Sequence, residues 1–261
     1  MIDNQSVDAN KAWELWFTTN AFAADKRLHR IFRMLPHDPR CKFCNAPFRG
    51  VGGILVQVLF GKRRSTLNPR FCNVCHEATC QFPGGAEVKM SMLFADVRGS
   101  TALSEQMGVA EFSQLINRFY TESTKVIIAE DGLVEKLAGD AVAAFWGAGF
   151  AGPHYVQRTV KVARDVLRLM QQREIPIGIG VHSGVAYFGT MGTADGLTDI
   201  SAIGNEVNLA ARLASKAAAG EIILSEQALT EAGIDGSELE SRSLVLKGIT
   251  EPVLARVMHG S

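Results

Sequence analysis

Two acidic residues, Asp96 and Asp140, stand where a protein can bind metal ions. Asp96 ends an apolar run within residues 94–101 (FADVRGST), and Asp140 lies in a turn between two strand-like segments. Gly99 frees the backbone after the first acid, and Ser100 or Thr101 can cap a following helix whose free N–H groups would face phosphates. Two carboxylates at the tips of adjacent strands could hold two Mg²⁺ or Mn²⁺ ions, an arrangement that serves phosphoryl displacement. Ordinary turn or cap residues are the alternative interpretation of these two acids.

Four of the five cysteines form two pairs with Cys-x2-Cys spacing, with 27 residues between the pairs: Cys41, Cys44, Cys72 and Cys75. Each pair can present two sulfurs to a tetrahedral ion, so the pattern predicts a metal site, with structural zinc as the first interpretation. An iron–sulfur cluster, a redox switch and ordinary thiols are the alternatives. His76 and Cys80 are spare candidate ligands. The gap exceeds the usual 15–20 residues, which predicts a loop or small helix between the pairs.

Four motifs in the last two-thirds of the chain, taken together, resemble the signatures of class III adenylyl/guanylyl cyclases. They occur in family order within about residues 86–258, and they are FADVRGST (94–101), EKLAGD (135–140), IGNEVNLAARL (203–213) and LKG (246–248). The resemblance implies a ferredoxin-like α+β sheet and active sites formed at a head-to-tail dimer interface. It also implies cyclisation of a nucleoside triphosphate, in which the ribose 3′-hydroxyl attacks the α-phosphorus and expels pyrophosphate.

The resemblance assigns roles position by position. Asp96 and Asp140 match the metal-binding acids, and the Val97 carbonyl is an expected further ligand. Asn208 and Arg212 match the transition-state pair. They are four residues apart, so a helix would present both on one face. Arg212 is always charged and can stabilise negative charge building on the α-phosphate.

Three further positions match substrate-binding residues of the family. Lys247 matches the lysine that binds the terminal phosphates, and Lys136 and Ser201 match the two purine-selecting positions. A lysine can donate to adenine N1, and a serine hydroxyl can accept from the exocyclic amine. Lys136 therefore favours ATP and cyclic AMP, although Ser201 leaves guanylate or dual specificity open. Ser201 also resembles the Thr/Ser subclass of the family.

Every catalytic position is present in this one chain, so the resemblance implies a homodimer with two equivalent shared sites. The acids would come from one subunit, and Lys136, Ser201, Asn208, Arg212 and Lys247 from the other. A cyclase fold that lacks activity and serves as a regulatory module is the alternative. His182, in a strand-like run, is interpreted as a hydrogen-bonded structural histidine rather than a base.

The elements that must position these residues fall into three parts: an N-terminal helix in residues 1–38, a Cys-rich metal-binding module and linker in 39–85, and the cyclase domain in 86–261. In the last part, strand-like and helical segments alternate, which indicates an α/β or α+β sheet covered on one face. The module directly precedes the first catalytic strand, so we expect it to influence the dimer geometry and activity.

Residues 8–35 are predicted to form one helix ended by Pro36 and Pro39. Apolar residues at spacings of three and four make one stripe: Phe17, Ala21, Ala24, Leu28, Ile31 and Leu35. Trp13, Trp16, Phe22 and Phe32 widen this apolar surface. The helix could pack on its own domain, pair with its copy in a dimer, or place its basic face on a membrane surface.

Charge and composition bound the class of protein. Of 261 residues, 47% are hydrophobic, which fits a globular chain with a core. Residues 1–85 carry 12 Lys and Arg against 6 Asp and Glu, whereas residues 86–261 carry 15 against 21. The sequence shows no secretory signal and no apolar run of about 20 residues, so we expect a cytoplasmic protein without a transmembrane segment. A basic, zinc-like module can also bind nucleic acid, but we expect no such partner.

Overall fold

The structure is a computed structural model of the chain, and it describes residues 8–19, 21, 23–36, 39–192, 198–249 and 251–260. The chain divides into two compact units. The first comprises Met1–Val88, Ala148–Phe150 and Tyr187–Ile203, and the second comprises Lys89–Gly147, Ala151–Ala186 and Gly204–Ser261. Three short segments of the predicted cyclase region, residues 86–88, 148–150 and 187–203, therefore group with the N-terminal residues.

The N-terminal region forms two helices, so the prediction of one helix over residues 8–35 is wrong. Helix α1 spans Ala9–Thr18, and α2 spans Ala23–Met34. Thr19 adopts an extended conformation. Its hydroxyl donates to the Leu15 carbonyl at 2.7 Å and accepts from the Ala21 amide at 3.1 Å. Such side-chain bonds to the backbone compete with helical hydrogen bonds, which explains the break.

The apolar stripe predicted for this region is only partly buried. Within the stripe, Phe17 is fully buried but Ile31 is 48% exposed, and Phe32 beside the stripe is fully buried. Trp16 stacks on Phe43 and Phe150, with ring centroids 4.5 and 5.3 Å apart. These aromatic contacts pack α1 within the first unit. Phe22 lies outside the described residues.

Two more helices complete the helical part of the first unit. Helix α3 spans Gly50–Phe60 and α4 spans Asn73–Gln81. Helix α3 lies between the two cysteine pairs, so the expected small helix is confirmed. Residues 187–192 pair with the strand Thr198–Ile203, and Ser201 lies opposite Gly189 in this ladder.

The second unit is built around a mixed β-sheet, as expected for an α+β cyclase-like fold. The remaining elements of the chain are, in chain order: β1 (Gly85–Val97), α5 (Ser100–Met107), α6 (Val109–Ala129), β2 (Leu133–Ala138), β3 (Ala141–Trp146), α7 (Ala148–Ala151), α8 (Tyr155–Gln172), β4 (Ile177–Gly192), β5 (Thr198–Ile203), α9 (Asn205–Lys216), β6 (Glu221–Ser225), α10 (Glu226–Ala232), β7 (Glu240–Leu244) and β8 (Val253–His259). Strand β5 and residues 148–150 of α7 belong to the first unit. The sheet order is β2-β3-β1-β4-β6-β8-β7, with β5 paired to β4.

Strand pairing explains where the core lies. Strands β1 and β3 are antiparallel and β4 and β6 are parallel. All five residues of β6 are buried. A strand buried along its whole length is covered on both faces. Coverage of one face, as the sequence predicted, is therefore wrong at this strand: α9 packs on the side of Ile223, in a cluster with Leu213 and Val257.

Candidate active site and metal centre

The two predicted metal-binding acids lie side by side at one edge of the second unit. Asp96 is the penultimate residue of β1 and pairs with Ala141 on β3. The next amide, that of Val97, donates to the carbonyl of Asp140 at 3.0 Å. Gly139 has φ of +65°, which permits the tight β2–β3 turn that presents Asp140. The strand register therefore brings together two acids that are 44 positions apart in the sequence.

The environment of Asp96 disfavours the charged form of its own carboxyl group. Partial burial raises the pKa of the Asp96 carboxyl, and the charge of Asp140 raises it further. Arg98 acts in the opposite direction and lowers this pKa. A divalent cation between the two carboxylates would relieve their repulsion, so this donor set fits hard metal ions.

Arg98 is a contributor to the site that the sequence analysis left without a role. Its Nη2 lies 2.9 Å from Asp96 Oδ2, as an ion pair without the alignment of a hydrogen bond. Its backbone amide donates to Pro176 at 2.7 Å, and its Nη1 donates to the carbonyl of Ser215 at 3.4 Å. Arg98 therefore ties the first acid to the end of α9. Only its position two residues after Asp96 hinted at this.

Helix α9 carries Asn208 and Arg212 one turn apart, as the spacing predicted. Asn208 is exposed and Arg212 is partly buried. The helix lies close against β4, because a methyl group at Gly180 would come within 2.2 Å of the Ala214 amide nitrogen. Only glycine at this position allows the backbones to approach so closely, and this approach fixes the height of Asn208 and Arg212 over the sheet.

His182 holds the first turn of the same helix. Its Nε2 lies 2.5 Å from Glu206 Oε2, and its Nδ1 lies 2.8 Å from Ser225 Oγ. Burial lowers the pKa of His182, although Glu206 raises it in part. Both ring nitrogens are engaged and the ring is buried, which agrees with a structural histidine.

The guanidinium of Arg212 lies beside the loop that contains Lys247. A methyl group at Gly248 would be 3.5 Å from both Nη1 and Nη2 of Arg212. Within the part of the chain that the structure describes, Arg212 Nη1 is buried without a hydrogen-bond partner. Lys247 is exposed. A guanidinium with one buried, unsatisfied nitrogen beside a loop that carries an exposed lysine is chemically suited to an anion such as a phosphate group.

The two predicted purine-selecting positions lie in different units. Lys136 is exposed on β2, where the register with β3 shifts between Val134 and Lys136. Ser201 belongs to the first unit and is partly buried on β5. The fold thus brings the acids together and places Arg212 beside the Lys247 loop.

The four paired cysteines of the first unit converge on one point. Cys41, Cys44, Cys72 and Cys75 are buried, and their Sγ atoms all lie within 4.8 Å of one another. The Cys72 amide donates to Cys41 Sγ at 3.2 Å. Hydrogen bonds, chiefly from Cys41, lower the pKa of the Cys72 thiol. The cluster can hold one metal ion or a small cluster through four sulfurs.

The spare candidate ligands lie outside this cluster. Cys80 is exposed, and its Sγ lies 3.9 Å from His76 Nε2. Both are on α4, four residues apart, and they contact each other rather than the four buried sulfurs.

The length and apolar character of a helix decide whether it can cross a membrane. Among the helices of the described residues, none combines the length and the apolar character needed to cross a bilayer.

Comparison with known proteins places residues 86–250 in the family described as "Adenylate and Guanylate cyclase catalytic domain". The uncharacterized protein Rv2212 of Mycobacterium tuberculosis is 34% identical over 174 residues, which are 67% of this chain but 42% of that protein. The guanylyl cyclase Cya2 aligns with a TM-score of 0.61 at 26% identity, over 68% of this chain and 95% of Cya2. The adenylyl cyclase CyaB from P. aeruginosa aligns with a TM-score of 0.60 at 28% identity, over 68% of this chain and 97% of CyaB. Both alignments cover about two-thirds of the present chain.

Proposed function

The chain belongs to the adenylate and guanylate cyclase catalytic domain family, and on that premise we propose that it converts ATP to 3′,5′-cyclic AMP and pyrophosphate in intracellular signalling. The observation that carries this proposal is the adjacency of Asp96 and Asp140, with the Val97 amide bonded to the Asp140 carbonyl at 3.0 Å. Asp96, Asp140 and the Val97 carbonyl would hold two Mg²⁺ or Mn²⁺ ions. Bound there, the ions supply Lewis-acid activation of the ribose 3′-hydroxyl and neutralise triphosphate charge.

The protein's own side chains bind and orient the substrate. Arg212 donates from its unsatisfied Nη1 to the α-phosphate as negative charge develops there. Lys247 binds the terminal phosphates from the neighbouring loop. Asn208, exposed one turn before Arg212, orients the ribose. These three groups position the triphosphate so that the 3′-hydroxyl and the α-phosphorus are aligned, which is the main contribution to catalysis in phosphoryl chemistry.

Base selection rests on Lys136 and Ser201. The Lys136 ammonium donates to adenine N1, and the Ser201 hydroxyl accepts from the exocyclic amine. Guanine presents a donor at N1 and an acceptor at O6, so it leaves both groups mismatched. Similarity alone does not separate the two substrates, because Cya2 is a guanylyl cyclase and CyaB an adenylyl cyclase at nearly equal identity. Ser201 supports membership of the Thr/Ser subclass, and guanylate or dual specificity is the second candidate.

The working unit of this proposal is a homodimer with two shared sites. Lys136, Asn208 and Lys247 are exposed, so each is accessible to the acids of a second copy. In such an assembly Asp96 and Asp140 come from one subunit and the substrate-binding residues from the other. A two-fold axis then generates two equivalent sites.

The four buried cysteines bind one structural Zn²⁺ in this proposal. Four sulfurs within 4.8 Å of one another match the donor set of a tetrahedral zinc site. A four-thiolate set also accepts an iron–sulfur cluster. Metal analysis of the purified chain separates the two, since one zinc per chain without visible absorbance supports zinc, and a brown protein with iron and sulfide contradicts it.

The test of the enzymatic proposal is product identification. The purified full chain is incubated with Mg²⁺ or Mn²⁺ and either ATP or GTP, and the nucleotide product is separated chromatographically. Cyclic AMP from ATP is expected, with little cyclic GMP from GTP. The absence of any cyclic nucleotide would overturn the enzyme proposal, and more cyclic GMP than cyclic AMP would overturn the base assignment.

A further inference from the structure

The cysteine cluster is connected to the strand that carries Ser201 by a side chain from inside its first pair. Lys42 lies between Cys41 and Cys44 in the sequence. Its Nζ donates to Asp199 Oδ1 at 2.8 Å and to the Ile200 carbonyl at 2.7 Å. The Lys42 side chain is only 5% exposed. A buried ammonium with two close acceptors holds a defined geometry, because losing either partner would leave a desolvated charge.

The second cysteine pair reaches the same strand. Arg70, two residues before Cys72, forms an ion pair with Asp199. Asn68 Nδ2 donates to the Thr198 carbonyl at 2.6 Å. The side chains near both cysteine pairs therefore contact the same three consecutive residues of β5, 198–200.

The two pairs are also tied to each other. The Lys42 amide donates to the Arg70 carbonyl at 2.8 Å, and the Cys72 amide donates to Cys41 Sγ at 3.2 Å. An ion bound by the four sulfurs would fix the same relationship more strongly, because each pair supplies half of its ligands. Without the ion, the direct contact between the sulfurs of the two pairs is weak, with Cys44 Sγ 3.8 Å from Cys72 Sγ.

Ser201 directly follows residues 198–200, which these side chains contact. Residues two apart on a strand project to the same face, so Ser201 shares a face with Asp199. We propose that the metal ion of the four-cysteine site positions Ser201 through Lys42 and Asp199, so that metal occupancy sets the purine selectivity of the enzyme. This inference rests on the proposed function, since it takes Ser201 to contact the base.

The contact between Lys42 and Asp199 is the link between the metal site and Ser201. Variants at this link test the proposal while leaving the metal ligands intact. Lys42→Met keeps the apolar stem of the side chain, and Asp199→Asn keeps the shape of the acceptor. Both should retain one zinc per chain by metal analysis and an unchanged circular dichroism spectrum. The ratio of kcat/KM for ATP over GTP should fall about tenfold, the value of one well-placed hydrogen bond to the base. Arg63→Ala, an exposed cation of the same module, should leave the ratio unchanged.

The outcomes distinguish failure of the proposed function from failure of the link between the metal site and Ser201. A wild-type chain that forms no cyclic nucleotide overturns the proposed function itself. A wild-type chain that is active, with Lys42→Met and Asp199→Asn at the wild-type ATP-to-GTP ratio, overturns only the link. Cys41→Ser with Cys44→Ser should lose the metal and lower the ratio as the link variants do, and a metal-free chain with wild-type selectivity would also overturn the link.

Helix α3 supports a second, independent inference. Five apolar residues recur at helical spacings i, i+3, i+4, i+7 and i+8 and are between 44% and 76% exposed: Val51, Ile54, Leu55, Val58 and Leu59. A stripe with this spacing normally faces the core of a protein. Here the buried side is instead made by Gly52, Gly53 and Val56. The first two have little room for a side chain, since a methyl group on Gly53 would lie 2.7 Å from the Phe48 backbone.

Cations flank this helix in the sequence. Arg49 precedes it, and the exposed Arg63 and Arg64 follow it after Gly61 and Lys62. The Lys62 ammonium instead lies 4.0 Å from Cys44 Sγ. Residues 41–76 contain six Lys and Arg but no Asp or Glu. Antiparallel pairing of α3 with a second copy would bring cationic ends together, whereas an anionic lipid surface complements both the charges and the apolar stripe.

We infer that α3 lies in the plane of a membrane surface that contains anionic phospholipids, with its apolar stripe inserted between the headgroups. Its 11 residues would extend about 16 Å, too short for the roughly 30 Å of a bilayer core. The first unit would therefore make a peripheral contact with the membrane.

Vesicle sedimentation of the full chain tests this contact. The chain should sediment with vesicles of phosphatidylcholine and phosphatidylglycerol, and sedimentation should weaken with added salt and with pure phosphatidylcholine. Val58→Glu with Leu59→Glu should lower the bound fraction at least about tenfold. Val109→Glu, at an exposed valine outside α3, should bind as the wild type does. Wild-type protein that does not sediment with anionic vesicles, or an α3 variant that only changes the oligomeric state, would overturn the inference.

Discussion

His182 Nε2 lies 2.5 Å from Glu206 Oε2, and this contact joins β4 to the first turn of the helix that carries Asn208 and Arg212. The opposite ring nitrogen is 2.8 Å from Ser225 Oγ on β6. A buried imidazole thus connects two strands and one helix of the second unit. Because Glu206 is two residues before Asn208, the position of the ribose-orienting residue in the proposed mechanism depends on this contact.

The pKa of His182 is lowered by burial, which gives stability a defined pH dependence. The unfolded chain takes up a proton near the ordinary histidine pKa of about 6.5, whereas folded His182 takes it up only at lower pH. The stabilisation is therefore complete above pH 6.5 and is lost as pH falls through the lower, folded pKa. In urea unfolding, the wild type should lose more stability between pH 7.5 and 5 than His182→Gln does.

The matched control for this prediction is His154→Gln, at an exposed histidine before α8. Its pH dependence should parallel that of the wild type. If His182→Gln also parallels the wild type across this range, the buried neutral form of His182 is contradicted.

Asp96→Asn should remove activity without unfolding the chain. The substitution deletes one carboxylate of the proposed two-metal site, so kcat should fall at least about a hundredfold. The fold should persist, because the carboxylate of Asp96 is disfavoured by burial and by Asp140. Activity with Mn²⁺ and the thermal midpoint are the two measurements. Glu238→Gln, at an exposed acid outside the site, should match the wild type in both. A fully active Asp96→Asn protein would contradict the metal assignment.

Mixing two inactive variants tests whether the sites are shared between subunits. In an Asp96→Ala and Arg212→Ala heterodimer, one site combines both defects and the other combines two intact halves. Random exchange of subunits makes half of the dimers mixed, and each mixed dimer has one intact site of two, so the mixture should recover about a quarter of the wild-type activity for the same amount of total protein. Each variant alone should be inactive. Recovery should need subunit exchange, and a mixture with no more activity than its components would contradict shared sites.

The sequence predicted the regular part of the fold because its periodic patterns are long. The apolar run that Asp96 ends is part of the observed β1, and the turn predicted at Asp140 joins β2 to β3. The cysteine spacing likewise predicted the convergence of four sulfurs. Local pattern and tertiary packing agree in these elements, which is why they could be read from the sequence.

The break between helices α1 and α2 could not be predicted from the sequence. It depends on hydrogen bonds from the hydroxyl groups of Thr18 and Thr19 to the carbonyls of Glu14 and Leu15. Arg98 was missed for a related reason. Its contact with the Ser215 carbonyl joins residues 117 positions apart, and no local pattern encodes that distance. The hydrogen bond from Lys42 to Asp199 spans 157 positions and could not be predicted for the same reason.

Lys136→Glu should shift base preference toward GTP. The substitution replaces a donor to adenine N1 with an acceptor, which suits the donor at guanine N1. The exposed position of Lys136 means that the fold should tolerate the change. The expected result is a loss of at least about tenfold in kcat/KM for ATP, with a smaller loss or a gain for GTP, measured by product chromatography. Lys125→Glu, on the exposed face of α6, controls for charge reversal and should leave the ratio of the two substrates unchanged. If both variants keep the wild-type ratio, Lys136 does not contact the base, and adenine preference must come from groups other than this lysine.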